Sequence, residues 1–206
     1  YGIVLQNEWL YWQNHGWDEQ VRKEYTNWVW SDGNHPSIVI WDAINENWDS
    51  YIGNTLIPEL KELDPTRIWD AGYMTSDQMG TNDEMDEPHP YRALTLMHSS
   101  ELNDYFKNNP YNLGALHENW VGFSSILGWI WLWRDGRPSK LTLNNYNYYL
   151  GENATPAQCR ELQAYWLQLE TEWLRSERSV GGILAFCHLT NNYGFTGDWF
   201  INDIKD

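Results

Sequence analysis

Two glutamates in this chain stand where packing gives little reason for a carboxylate. The first, Glu46, closes the stretch from Gly33 to Trp48. Asp32-Gly33-Asn34 signals a turn, and Pro36 sets an extended backbone after it. Ser37 to Trp41 is a β-branched and aromatic run of strand length. With Ala43 and Ile44 the run stays almost wholly apolar, as in a strand buried on both faces, and then breaks into Asn45-Glu46-Asn47. The second, Glu118, repeats the pattern: Leu113 to Leu116 is apolar, and His117-Glu118-Asn119-Trp120 follows. Buried polar groups cost stability unless they are hydrogen-bonded or face a cleft. The carboxyl ends of parallel strands are where α/β folds hold ligands. A carboxylate there is suited to proton transfer or to nucleophilic attack. Taken alone, Glu46 is equally compatible with a loop start paired to a nearby arginine.

The whole string narrows that choice. Asn34-His35-Pro36-Ser37 leading into a strand that ends in Asn45-Glu46 resembles the fourth-strand motif of clan A glycoside hydrolases. It is most similar to family two, which includes β-galactosidases, β-glucuronidases and β-mannosidases. The resemblance implies that Glu46 is the catalytic acid/base and that Asn45 holds the sugar hydroxyl next to the scissile bond. His89-Pro90-Tyr91 resembles the sixth-strand element of the family. That likeness assigns His89 and Tyr91 to sugar hydroxyls or to the nucleophile. Leu113 to Trp120 resembles the seventh-strand signature, which makes Glu118 the nucleophile, although His117 stands where serine or threonine is commoner. Glu101 is the competing candidate and falls within a predicted helix. Ser179 to Phe186 resembles the eighth strand with its paired glycines. Here the chain departs from the family, because Phe186 holds the place of the usual tryptophan, with Asn191, Asn192 and Trp199 just beyond. Trp48 and Trp120, the aromatics following the two glutamates, complete the set expected to bind sugar with Asn191 and Trp199.

What the resemblance implies is double displacement with retention of configuration. Glu118 attacks the anomeric carbon while Glu46 first donates and then accepts a proton. The two carboxyl groups should lie about 5–5.5 Å apart, in environments that keep Glu46 protonated and Glu118 ionised. No metal or organic cofactor is required.

Composition agrees with a carbohydrate substrate and disfavours other partners. The 206 residues suffice for one domain with a sizeable core. A formal net charge of −16 argues against nucleic acid and against adsorption on anionic membranes. No run of about eighteen apolar residues spans a membrane. Fifteen Trp and thirteen Tyr exceed what a core of this size needs, and aromatic rings stack on pyranose faces. The same surplus suits the rival expectation, a non-catalytic carbohydrate-binding pseudo-enzyme with an aromatic cleft. Cys159 and Cys187 have neither metal spacing nor a disulfide framework. Asp83, Glu84, Asp86 and Glu87 lack the spacing of a calcium loop and read as a solvated acidic surface. Oligomeric state and compartment stay open, a secreted or periplasmic location included.

The elements that must position these residues follow from periodicity and turn chemistry. Gly2 to Leu5 reads as a short buried strand ending in Gln6-Asn7-Glu8-Trp9, where Glu8 either lines the cleft or braces a loop. Trp9, Tyr11, Trp12 and Trp17 either wall the sugar site or pack beneath their loop. Asp18 to Trp30 has helical spacing at Val21, Tyr25, Trp28 and Val29, with Asp18 as cap. A helix starts at Asp49 or Ser50 and runs to Leu63, with a start or kink near Pro58. Arg67 to Ala71 is a strand, Ala93 to Lys107 a helix, and Ser124 to Gly151 a long aromatic loop. Arg134, Arg137 and Lys140 in that loop either pair with surface carboxylates or read an acidic sugar. Thr155-Pro156 opens a helix to about Arg178. Alternating strands and helices predict an α/β fold, a (β/α)8 TIM barrel of which this chain carries about six of the eight strands. Residues 1–206 are then one catalytic barrel domain and a portion of a longer protein. The N-terminal strands lie outside it.

Overall fold

The computed structural model describes residues 2–9, 11, 13–14, 16–47, 49–71, 122–127, 131–176 and 180–186. They fall into two compact units, one built from the residues up to 71 and the other from Phe123 onward.

The first unit is a βαβαβ run. Strand β1 (Leu5–Glu8), helix α1 (Asp18–Asp32), strand β2 (Ile38–Asp42), helix α2 (Ile57–Leu63) and strand β3 (Ile68–Asp70) follow in order. The three strands are parallel and adjacent in chain order. Sequential order with helical crossovers fits a barrel wall and equally one half of a doubly wound sheet, which reverses order only at its switch point.

The helices form because they can bury one stripe. Val21, Tyr25, Trp28 and Val29 of α1 are buried, as the spacing predicts. The Trp28 ring meets Trp41 of β2 edge-on at 4.7 Å and Trp69 of β3 at 6.3 Å. Trp41 and Trp69 are register partners and stack at 5.8 Å. Such contacts contribute beyond the area they bury. Both indole N–H groups are satisfied, Trp41 by the Asp64 carboxylate and Trp69 by the Asp64 carbonyl.

Asp64 is also the C-cap of α2 and the partner of Arg67. Arg67 donates to the carbonyls of Gly33, His35 and Ile38, and its guanidinium lies over the Trp41 ring. The turn before β2 is therefore held by the turn before β3. A Cβ at Gly33 would stand 2.6 Å from the Val29 carbonyl oxygen, so only glycine lets α1 end there. A cavity of about 330 Å³ at this end is lined by Val29, Trp30 and the 63–67 turn. Its charged members, Asp64 and Arg67, are already paired with each other.

Several local expectations are corrected. Asp18 is the first helical residue; the N-cap is Trp17, with no side-chain hydrogen bond and a ring left 74% exposed. β1 begins at Leu5, and Ile3, Val4 and Leu5 are exposed, because β1 is an edge of this sheet. The helix after β2 starts at Ser50, one of the two expected starts, and the Asp49 carboxylate caps it by accepting the N–H groups of Tyr51 and Ile52. It then passes through a π-helical stretch, Ile52–Leu56, before α2. Pro58 has no N–H to return to a carbonyl one α-turn back, and the wider π turn absorbs the mismatch. Leu63, the last residue of α2, is exposed.

In the second unit, strand β4 (Gly122–Leu127) pairs with β5 (Val180–Phe186). The segment expected to be one long loop is partly ordered as β4 and as helix α3 (Leu143–Leu150). Between them a tight turn is closed by the Leu132–Pro138 bridge and by Thr142 Oγ1 donating to the Trp131 carbonyl. Helix α4 (Pro156–Ser176) begins in a capping box. Gln158 N–H donates to Thr155 Oγ1, and Thr155 N–H donates to Gln158 Oε1. Tyr146 and Tyr149 of α3 meet Trp166 of α4 edge-on at 5.3 and 5.4 Å. Tyr146 and Trp131 are thus core residues of this unit, and Arg137 pairs with Asp135.

Candidate active site

The carboxyl ends of β1, β2 and β3 form one edge, and the chain leaving β2 there carries Asn45 and Glu46. Pairing puts Glu8, Asp42 and Asp70 in a single row across the three strands. By strand alternation this row lies on the face opposite Trp41 and Trp69. Asp42 and Asp70 are 3% and 1% exposed, and Gln6 donates to Asp42 at 2.8 Å. The tripeptide Ile-Trp-Asp occurs twice, at 40–42 and 68–70, and the two copies are in register. That repetition was the signal in the sequence for this acidic row, which the motif-based expectations did not include.

Beyond Asp42 the backbone stays anchored for two residues. Ala43 N–H donates to the Asp70 carbonyl, the Tyr25 hydroxyl donates to the Ala43 carbonyl, and Ala43 and Ile44 are fully buried. Burial pushes the Tyr25 phenol well above its usual range, so it stays a neutral donor. Asn45, Glu46 and Asn47 then emerge half-buried. Among the described residues Glu46 is the one non-glycine residue with positive φ, at 47°. A left-handed backbone costs an L-residue roughly 1–2 kcal/mol. It persists only where the surroundings over-determine it, as happens at functional sites.

The surroundings do so here. Asn45 N–H donates to the Tyr11 carbonyl at 3.2 Å, Tyr11 Oη donates to Asp49 Oδ2 at 2.6 Å, and Asn47 Nδ2 donates to Asn14 Oδ1 at 2.7 Å. Tyr11 and Trp9 pack into the core around Tyr25. Of the two roles left open for these aromatics, packing beneath the loop holds for both. Glu8 is exposed. Trp12, Trp48, His89, Tyr91, Glu101, Glu118, Trp120, Asn191 and Trp199 lie outside the described residues, as do Cys187 and the acidic loop.

A strand-end carboxylate held in a strained conformation, above parallel strands in sequential order, matches the resemblance drawn from the residues. Residues 6–109 match the model of the glycosyl hydrolases family 2 TIM barrel domain. The chain belongs to glycosyl hydrolase family 2. Family membership supports a TIM-barrel-type fold and a place among the glycoside hydrolases, and it implies a carbohydrate substrate. The matched residues of this family 2 domain include Asn45, Glu46, His89 and Tyr91 and end before Glu118. No curated protein matches the chain. Among the described residues no cluster of His, Cys, Asp and Glu has the arrangement of a metal site, and no helix is long and apolar enough to cross a membrane.

Proposed function

We propose that the chain is the catalytic barrel domain of a retaining β-glycosidase, carrying about six of the eight barrel strands, with Glu46 as acid/base and Glu118 as nucleophile. The observation that carries this is Glu46 itself. It ends the Asn34–Glu46 motif, it sits beyond the carboxyl end of a parallel strand, and its strained backbone is held from both sides. Carboxylates in unused loops have no reason to be fixed this way.

In the first step a Glu118 oxygen bonds to the anomeric carbon as the glycosidic C–O bond breaks, and the Glu46 proton passes to the leaving oxygen. In the second, Glu46 takes a proton from water, the water oxygen bonds to the anomeric carbon, and the glycosyl ester to Glu118 breaks. Both carboxyl groups return to their starting states. Asn45, His89 and Tyr91 hold sugar hydroxyls, while Trp48, Trp120, Asn191 and Trp199 shape the cleft.

The test is a panel of aryl β-glycosides assayed with the full-length protein and its Glu46→Gln and Glu118→Gln variants. Cleavage by the wild type, disabled in both variants, is the predicted result. Azide should rescue Glu118→Ala as a glycosyl azide of inverted configuration. A folded wild type that binds sugar and cleaves nothing on a broad panel would make the domain a binding pseudo-enzyme. Full activity in Glu118→Gln would move the nucleophile elsewhere, Glu101 first.

A further inference from the structure

Tyr11 is two per cent exposed and touches both ends of the short loop that presents Glu46. Its carbonyl accepts the Asn45 N–H at 3.2 Å, immediately before the glutamate. Its hydroxyl donates to Asp49 Oδ2 at 2.6 Å, immediately after the loop. Asp49 is itself fixed, because its other oxygen accepts the Tyr51 and Ile52 N–H groups at 2.9 and 3.2 Å. The loop is therefore a bridge between the end of β2 and the first turn of the next helix, and one buried tyrosine ties both abutments. Asn14 adds a third tie, accepting from Asn47 at 2.7 Å.

This bracing matters because Glu46 is at φ 47°. A strained residue relaxes when its constraints are removed, and relaxation here rotates the peptide that aims the carboxyl group. We infer that Tyr11, acting through its hydroxyl on Asp49, is a positioning residue that holds Glu46 in line with the leaving-group oxygen. The inference rests on the acid/base role proposed for Glu46. Its ring is packed against Tyr25, which places Tyr11 to act through the loop rather than on the substrate.

A misplaced general acid is felt most where the leaving group needs a proton. The experiment measures kcat/KM across aryl β-glycosides whose phenols range from strongly to weakly acidic, for the full-length wild type, Tyr11→Phe, Asp49→Asn, the double variant and Glu46→Gln. Melting temperatures are recorded alongside. Tyr11→Phe keeps the ring and the carbonyl and deletes only the hydroxyl. Expected is a loss of about tenfold or more on the weakly acidic phenols and less than about threefold on the dinitrophenyl substrate, since misplacement by about 1 Å can cost up to a hundredfold. Asp49→Asn should show the same steepened dependence, and the double variant should be no worse than the more impaired single one.

A Tyr11→Phe line parallel to the wild type, with Glu46→Gln steepened, overturns the positioning role and leaves the acid/base role standing. Additive losses in the double variant overturn the shared link. If Glu46→Gln is not steepened, the acid/base role fails and this inference falls with it. Should Tyr11→Phe fold poorly, Asp49→Asn alone decides by the same slope.

Discussion

Among the described residues, Glu170 is the one whose surroundings fit its chemistry least. It is 1% exposed on α4, and neither carboxyl oxygen has a hydrogen-bond partner among the described residues. Burial pushes its carboxyl well above the usual carboxylate range. A raised carboxyl favours the fold at acid pH. That contribution is lost as pH rises from the unfolded value, about 4.3, through the folded one. Glu170→Gln should therefore melt higher than the wild type near neutral pH, by about 2 °C or more. The difference should vanish near pH 4, and a melting series across pH checks both statements. Asp64 behaves oppositely. Burial opposes its ionisation, but hydrogen bonds from Thr66, Trp41 and Arg67 outweigh that and hold the carboxyl at about 2. Its contribution is present above the usual carboxylate value and is lost as pH falls toward 2. Arg67→Lys cannot replace four separate hydrogen bonds with one ammonium, and we expect a loss of about 2–4 kcal/mol by urea titration.

At the scale of elements, α1, β2, β3 and α4 were legible because burial imposed its own period on them. Val21, Tyr25, Trp28 and Val29 gave α1, and the same residues are its buried face. The ends were less legible. Asp18 is a good cap by type, yet the chain enters the helix one residue earlier at Trp17, a shift of the size that helix ends commonly show. Pro58 marked a disturbance without stating its form; the π stretch before it is a compromise between proline and a buried stripe that includes Ile52 and Leu56. Ser124 to Gly151 read as loop because aromatics recur there without a sustained period, although Tyr146 and Tyr149 seat α3 on Trp166. The capping box on α4 was half visible as Thr155-Pro156, and Gln158 completes it. Thr155→Ala should cost about 1 kcal/mol, measurable as a lower midpoint in urea.

For the whole molecule, the parallel order β1-β2-β3 and the family match over residues 6–109 agree on a barrel-type wall with its working edge at the carboxyl ends. The motif that reveals the family divides between two ends of one strand. Gly33 and His35 contribute carbonyls that Arg67 binds at the amino end, while Asn45 and Glu46 stand beyond the carboxyl end. Half of the signature thus serves the fold, and the other half stands at the carboxyl edge, where α/β folds generally hold ligands. The bracing of Glu46 by Tyr11 was not legible, because a tyrosine in an aromatic loop carries no mark of which backbone its carbonyl and hydroxyl will meet. Glu118 was marked by its place after a short apolar run, but its role, like the choice of His89 and Tyr91, came from the resemblance.

The acid/base role proposed for Glu46 in a retaining mechanism makes a stereochemical prediction. The most direct test is the configuration of the product formed from a dinitrophenyl β-glycoside by Glu46→Ala of the full-length protein in azide. Proton NMR of the glycosyl azide reads the anomeric centre. Rescue should give a β-glycosyl azide, because azide enters after Glu118 has formed the ester and needs no base. An α-glycosyl azide, or no rescue in a folded variant, would contradict that role.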